Sequence, residues 1–312
     1  MAETLISPGV LARENDQSQI TSQPVTVGSA IIGPTVKGKP NIPKILTSYS
    51  EYTAEFGSQF ESGSQTFTHL TSYSAYNFFQ NGGESLLVTR VASGSFTAAT
   101  SSLIRNHEDS TSSSFSLESL GQGTILNSTG TEGTNNTLTN GTVDNFRWEI
   151  VSPNTSSGTF SLLVRRGDDN IKQKVILETY SNLSLDPKQP NYIERVIGNQ
   201  TQELGGSGTD LYLQFTGSYP NASKYIRVKE VTNPTPDYFD NNGVAKDAFT
   251  GSIPTATSGT FGNADGNLFG GRKANFYQDI NNTDTQGILG TDYTNAINLL
   301  ANEDEYRYKV IT

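Results

Sequence analysis

Tyr76-Asn77-Phe78-Phe79-Gln80-Asn81-Gly82-Gly83, followed at once by Glu84-Ser85-Leu86-Leu87-Val88-Thr89-Arg90-Val91, is the stretch that decides the fold. Ahead of it Phe67, Leu70, Tyr73, Tyr76, Asn77 and Phe79 keep mostly helical spacing, and Asn81-Gly82-Gly83 is chemistry that ends a helix. Residues 85–91 read as a nearly continuous strand around Leu86-Leu87-Val88 and Val91, which fits a strand covered on both faces. Helix, glycine stop and buried strand together predict an α/β unit.

Toward the amino terminus, residues 25–32 read as a first strand rich in β-branched residues and ending in Gly33-Pro34, and residues 44–46 as a short second one. Ser48 or Ser50 is placed to cap a short helix that runs to Phe56 and stops at Gly57. Residues 1–24 carry too few apolar positions to hold themselves on a core, yet Leu5-Ile6-Ser7-Pro8-Gly9-Val10-Leu11 suits an extended arm that adds a strand to a neighbour.

Beyond residue 93 the helical periodicity disappears. Strands are expected at 114–120, 146–151, 159–165 and 174–180, with Asp168-Asp169-Asn170 as a hairpin turn and a polar loop over 121–141. Helical spacing returns at Tyr192, Ile193, Val196 and Ile197, and strands are expected at 211–215 and 226–231. Residues 233–272 form a segment dense in Pro, Gly, Asp and Asn, too long for an ordinary connection. A helix over 292–301, with Tyr293, Ala296, Ile297 and Leu300 on one face, leads to a strand over 306–312. A helix followed by a strand reads as another α/β unit just begun, so an incomplete domain is expected. The predicted class is mixed α+β: an arm (1–24), the first part of an α/β core (25–93), an inserted all-β surface domain (94–180), and the second part of the α/β domain (181–312) with its long loop at 233–272.

Composition narrows the function. The 312 residues hold 21 Lys and Arg against 31 Asp and Glu, a formal charge of -10, and no basic stripe overrides that average. Direct nucleic-acid binding is therefore not expected. Arg165-Arg166, Lys172 and Lys174 beside Asp168 and Asp169 read as ordinary exposed charges. Cysteine is absent, which removes disulfides, thiolate metal sites and cysteine nucleophiles and suits assembly in a reducing cytoplasm. No run of about 18 apolar residues is present, so no membrane-spanning helix is expected.

Catalytic constellations are equally scarce. His69 and His107 are the two histidines, on separate elements and without metal-ligand spacing. Gly82-Gly83, residues 205–208 and Gly270-Gly271-Arg272 form neither a phosphate loop nor a dinucleotide fingerprint. Asn263, Asp265 and Asn267 around Gly266 lack the rest of a calcium loop and read as a turn. Neither an enzyme activity nor a cofactor is expected. Tyr212, Phe215, Tyr219 and Tyr225 are candidates for a shallow receptor- or glycan-binding face, the alternative to a purely structural role; core packing is the usual fate of such residues.

Several stretches resemble one family. Ser7-Pro8-Gly9-Val10, then Ile31-Ile32-Gly33-Pro34 with Gly38 and Pro40, then Tyr49 with Phe56-Gly57, then residues 76–83 leading into Leu87-Val88-Thr89-Arg90-Val91 are similar to the amino-terminal part of contractile bacteriophage tail sheath proteins. Leu185-Asp186-Pro187 with Asn191-Tyr192-Ile193-Glu194-Arg195-Val196-Ile197-Gly198 resembles a segment of the larger, myovirus-type members. The resemblance covers roughly a third of the chain.

It implies a virion subunit, assembled in the host cytoplasm, that polymerises helically with copies of itself around an inner tail tube and contracts on a baseplate signal. Baseplate and tail terminator proteins are then further partners. The family also implies an amino-terminal arm paired with neighbouring subunits, a variable outer β domain, and a carboxy-terminal domain that this chain does not contain in full.

Overall fold

The computed structural model describes residues 25–62, 65–109, 111–267 and 288–312. The chain is mixed α+β, strands predominating, and runs in the order β1 (Val25–Gly33), β2 (Pro43–Leu46), α1 (Tyr49–Phe56), β3 (Phe60–Ser62), β4 (Gln65–Phe67), α2 (Leu70–Gln80), β5 (Leu86–Arg90) and β6 (Ala98–Ser101). It continues through β7 (Ser116–Gln122), β8 (Phe146–Asn154), β9 (Thr159–Arg166), β10 (Ile176–Ser184), α3 (Ile193–Ile197), β11 (Thr201–Ser207), β12 (Asp210–Thr216) and β13 (Ile226–Glu230). The last elements are α4 (Asp247–Thr250), β14 (Ser258–Gly262), α5 (Thr294–Leu300) and β15 (Tyr306–Ile311).

Two sheets organise these elements. The smaller has the order β15-β1-β5-β2, with β1 parallel to both β15 and β5 and β2 antiparallel to β5. All of β5 is buried, which fits its apolar start Leu86-Leu87-Val88: Leu86 and Val88 join Ile31, Tyr52, Phe56 and Ala75 on the α1/α2 side. Leu87, one residue out of phase, joins Ala30, Leu211, Leu299 and Leu300 on the α5 and hairpin side. Ser48 accepts the Glu51 amide at the start of α1, and Gly57 at φ 73 ends it. Asn81 donates to the Asn77 carbonyl, Gly82 to that of Phe79 and Gly83 to that of Phe78, so the stop read from Asn81-Gly82-Gly83 is a hydrogen-bonded cap.

The larger sheet has seven strands in the order β10-β9-β8-β14-β6-β7-β13. Its core, the largest among the described residues, is built around Trp148, Phe115, Phe160, Leu162, Val164 and Phe261. The sheet does not stop at residue 180, where the insertion was expected to end: β13 pairs with β7, and β14 inserts between β8 and β6. Residues 183–197, expected in the second half of the α/β part, contribute Leu183, Leu185, Tyr192, Ile193 and Ile197 to this same core. The expected long loop at 233–272 contains α4, β14 and a bridge between Phe239 and Ala245 over the part of it that is described.

Several expectations are corrected by long-range packing. Phe67 belongs to the β3–β4 hairpin, and His69 is the N-cap position of α2, against Phe60 at 5.0 Å. On α5 the buried residues are Ala296, Leu299 and Leu300, whereas Ile297 is 51% exposed. Arg165 and Asp169, read as surface charges, are buried against each other at 2.7 Å. Arg165 also meets Glu149 at 3.0 Å, and Arg147 meets Glu132 at 2.6 Å. This polar layer lies on the face of β8 and β9 opposite Trp148 and Leu162, under the residues around Glu132 and Asn136.

Candidate assembly surface

Strand β15 is the outermost strand of the smaller sheet, with β1 as its one neighbour among the described residues. Thr312 donates to Ala30 and accepts from Ile32, both at 2.9 Å, which fixes the phase of this parallel ladder. Backbone groups alternate along a parallel strand, so those of Arg307, Lys309 and Ile311 point away from β1. Such an edge is a template for another strand. It carries the exposed side chains Val310 (54%) and Ile311 together with the cations Arg307 and Lys309. Lysine on an edge weakens indiscriminate pairing, so a partner strand must bring compatible chemistry.

A second exposed stripe lies on α2. Leu70, Tyr73 and Tyr76 recur every third residue and are exposed, and Tyr76 meets Tyr49 edge-on at 5.1 Å. Beside the end of α2 a groove of about 500 Å³ is lined by Ser29, Ile31, Phe78, Gly82, Gly83 and Thr312, among others.

The residues singled out by sequence fall into two places. Gly33, Pro34, Phe56, Gly57, Asn81, Gly82 and Gly83 gather around the smaller sheet. Gly33 lies so close to Thr71 that a Cβ would collide with its hydroxyl, which lets α2 sit directly on β1. Gly57 packs under Val36, where a Cβ would stand 2.8 Å from the valine Cβ, and the Phe56 carbonyl accepts the Lys37 amide. Asp186, Pro187, Tyr192, Ile193, Arg195 and Gly198 sit instead on the larger sheet's core. Buried Asp186 accepts the amides of Lys188 (3.0 Å) and Asp237 (3.1 Å), tying two loops, and exposed Pro187 starts the turn. Tyr192 and Ile193 are buried, Arg195 stands over the Tyr219 ring at 5.6 Å, and Gly198 at φ 104 accepts from Val228. Leu5, Ile6, Ser7, Pro8, Gly9, Val10 and Leu11 lie outside the described residues.

The four aromatics of the alternative reading do not form one face. Tyr219 and Tyr225 pack on the larger core, Tyr212 (49% exposed) lies across Gly205, and Phe215 stands on the alternate side of β12 from Tyr212.

Between the two sheets runs a cleft of about 770 Å³. One wall carries Lys39, Lys44 and Glu55; the other carries Glu118, Lys224 and Arg227. Burial pushes the Glu55 carboxyl up and the Lys39 ammonium down, each only partly offset by opposite charges nearby. At the seam beside it Arg90, 1% exposed, donates to the carbonyls of Gly38 and Gln122 (2.9 Å to the latter) and lies over the Phe96 ring at 4.8 Å. Burial without a carboxylate partner lowers its guanidinium to about 9. Lys37 and Asp144 meet at 3.7 Å across the same seam; burial dominates both, lowering the lysine and raising the carboxyl. Lys37, Asp144 and Gln122 were missed by sequence reasoning, because nothing local distinguishes a seam residue from a surface one.

Among the described residues no group of three or more His, Asp or Glu is placed to hold a metal ion, and no helix is long and apolar enough to cross a membrane. Asn263, Asp265 and Gly266 form a turn: Gly266, at φ 105, donates to Asp265, whose own amide donates to Thr97.

No protein-family model matches the sequence, and no curated protein matches it. Among solved structures, the sheath tail protein of Listeria innocua is similar at 8% identity and a TM-score of 0.39, over 92% of this chain and 40% of that one. The sheath tail protein of Desulfitobacterium hafniense is similar at 10% identity and a TM-score of 0.32, over 97% of this chain and 45% of that one. The chain thus spans less than half the length of either.

Proposed function

We propose that this chain is a structural subunit of a contractile phage tail sheath, polymerising with copies of itself around an inner tube and shortening to drive that tube through a host envelope. The observation that carries the reading is the outer ladder of β15, which no other described strand pairs, on the same sheet whose strands and turns hold the amino-terminal group of motifs similar to that family. An open ladder joins copies through backbone bonds, a linkage that survives rotation of one copy against the next. Baseplate, tube and terminator proteins are the further partners on this reading, the virion is its location, and no covalent chemistry or cofactor is involved.

Negative-stain electron microscopy of the full-length gene product, alone and mixed with its candidate tube protein, tests the proposal. Hollow cylinders or tube-wrapped sheaths are the expected result. Persistent monomers in both preparations reject it.

A further inference from the structure

The two sheets have separate apolar cores. The larger core draws on residues 99–264, while the clusters of the smaller sheet draw on residues 27–91, the β11–β12 hairpin and residues 288–308. Lys37 and Asp144, 107 residues apart in the chain, meet where the two units touch. The Lys37 Nζ stands 3.7 Å from Asp144 Oδ1 and donates to the Asp144 backbone carbonyl at 3.4 Å. The two side chains are 10% and 11% exposed.

For a buried ion pair this one has few supports. Among the described residues no other hydrogen bond reaches the Lys37 Nζ or the Asp144 carboxyl. Asp169, by contrast, accepts two bonds from Arg165 and a third from the Val175 amide. Charges taken out of water repay that cost only when further hydrogen bonds satisfy them. Lys37 and Asp144 therefore lean toward the neutral amine and the neutral acid. Burial lowers the lysine against the fields of Asp144 and Glu55, and raises the carboxyl against that of Lys37.

Both ends of the contact are pinned. The Lys37 amide donates to the Phe56 carbonyl at 3.0 Å, and the Lys37 carbonyl accepts the Thr35 hydroxyl at 2.8 Å. Next to Asp144, the Asn145 side-chain amide donates to the carbonyls of Asn127 (3.2 Å) and Asn140 (2.9 Å). Gly57 leaves room for the acid, since a Cβ there would stand 3.0 Å from Asp144 Oδ1. An amine and an acid held together away from water react as one molecule, without the entropy cost of an encounter.

We propose that Lys37 and Asp144 join in an amide bond, a covalent tether that the folded chain makes between its two units. The Nζ lone pair attacks Asp144 Cγ, the new N–C bond forms as the C–OH bond breaks, and a proton passes from nitrogen to the departing hydroxyl. One water leaves, and no other reactant is consumed. The distances above are those of the unjoined chain. Joining consumes the Asp144 carboxyl, so the acid–base behaviour of that group belongs to the chain before the bond forms. Tethered at one point, the units can pivot on the Arg90 contacts but cannot part. The tether belongs to the single chain and stands whether or not the chain polymerises.

Intact-mass spectrometry of the whole chain, folded in neutral buffer and then denatured, tests the proposal. The expected mass is lower than that of the sequence by one water. Trypsin does not cut after an acylated lysine, and Pro40 protects the bond after Lys39, so digestion should release residues 14–44 joined to residues 106–147. Lys37→Arg and Asp144→Ala each remove one reactant and should show their full sequence mass, with circular dichroism reporting that both fold. Folded wild type at full mass, cut by trypsin after Lys37, overturns the tether. So does a missing water that maps to other peptides or that persists in either variant.

Discussion

The interior of the seven-stranded unit and the seam beside it bury arginine on different terms. Arg165 has a two-point contact with Asp169 and a third with Glu149, and Arg147 reaches Glu132, so these cations keep opposite charge within 3 Å. Arg90 is as deeply buried but rests on two carbonyl oxygens and an aromatic face. A buried ion pair holds its shape because losing either partner strands a charge in a medium that cannot solvate it. A cation on carbonyls loses less when the contact opens, since water replaces a carbonyl at small cost. The contrast separates a part of the molecule built to stay fixed from a part able to give.

The largest effect should come from the paired network. Asp169→Ala leaves Arg165 without its two-point partner and should cost about 3–5 kcal/mol, read as a lower midpoint in urea unfolding. Arg90→Met is expected to cost less, about 1–3 kcal/mol, because the Gly38 carbonyl keeps the Gln122 amide and a desolvated charge is removed as well. An Arg90→Met loss equal to that of Asp169→Ala would break the comparison.

The next effect depends on pH. Burial holds the Asp144 carboxyl above its ordinary value of 3.8, so its charged form is disfavoured in the folded chain. Stability from this group is complete below the ordinary value and is lost as pH rises through the raised one. Wild type should therefore lose ground to Asp144→Asn on going from acid to neutral pH, as followed by thermal melts of both proteins across a pH series; a variant that instead gains on acidification contradicts the sign. The smallest effect is at the rim, where Lys224 and Glu51 are largely in water: Lys224→Ala should change stability by no more than about 0.5 kcal/mol in the same urea experiment.

How far the sequence could be read follows from the range of the forces involved. Ser48, Gly57 and Asn81-Gly82-Gly83 act on amides and carbonyls a few residues away, and each does in the structure what its position suggested. Residues 85–91 were legible for a similar reason, since Leu86-Leu87-Val88, apolar at consecutive positions, suits a strand covered on both faces. Arg147, Glu149 and Arg165 were not. They alternate with Trp148, Ile150 and Val164 as residues on a solvent face do, and only the folding of the segment around Glu132 and Asn136 over that face buries them. Of the candidate surface, Gly33 and Gly57 were singled out as a strand end and a helix stop, while the place of β15 at the edge of the described sheet depended on which strand lies beside it.

The sequence by itself determined the local signals: where helices begin and stop, that residues 85–91 form a buried strand, and the scarcity of catalytic residue patterns. Only the tertiary structure decided that β14 enters the larger sheet between β8 and β6, that β15 lies beside β1 as the outermost described strand, and that two cores meet across a charged seam. Caps and alternation are settled by bonds within a few residues. Strand neighbours and seam charges are settled by contacts between segments far apart in the chain, where many sequences would serve equally well.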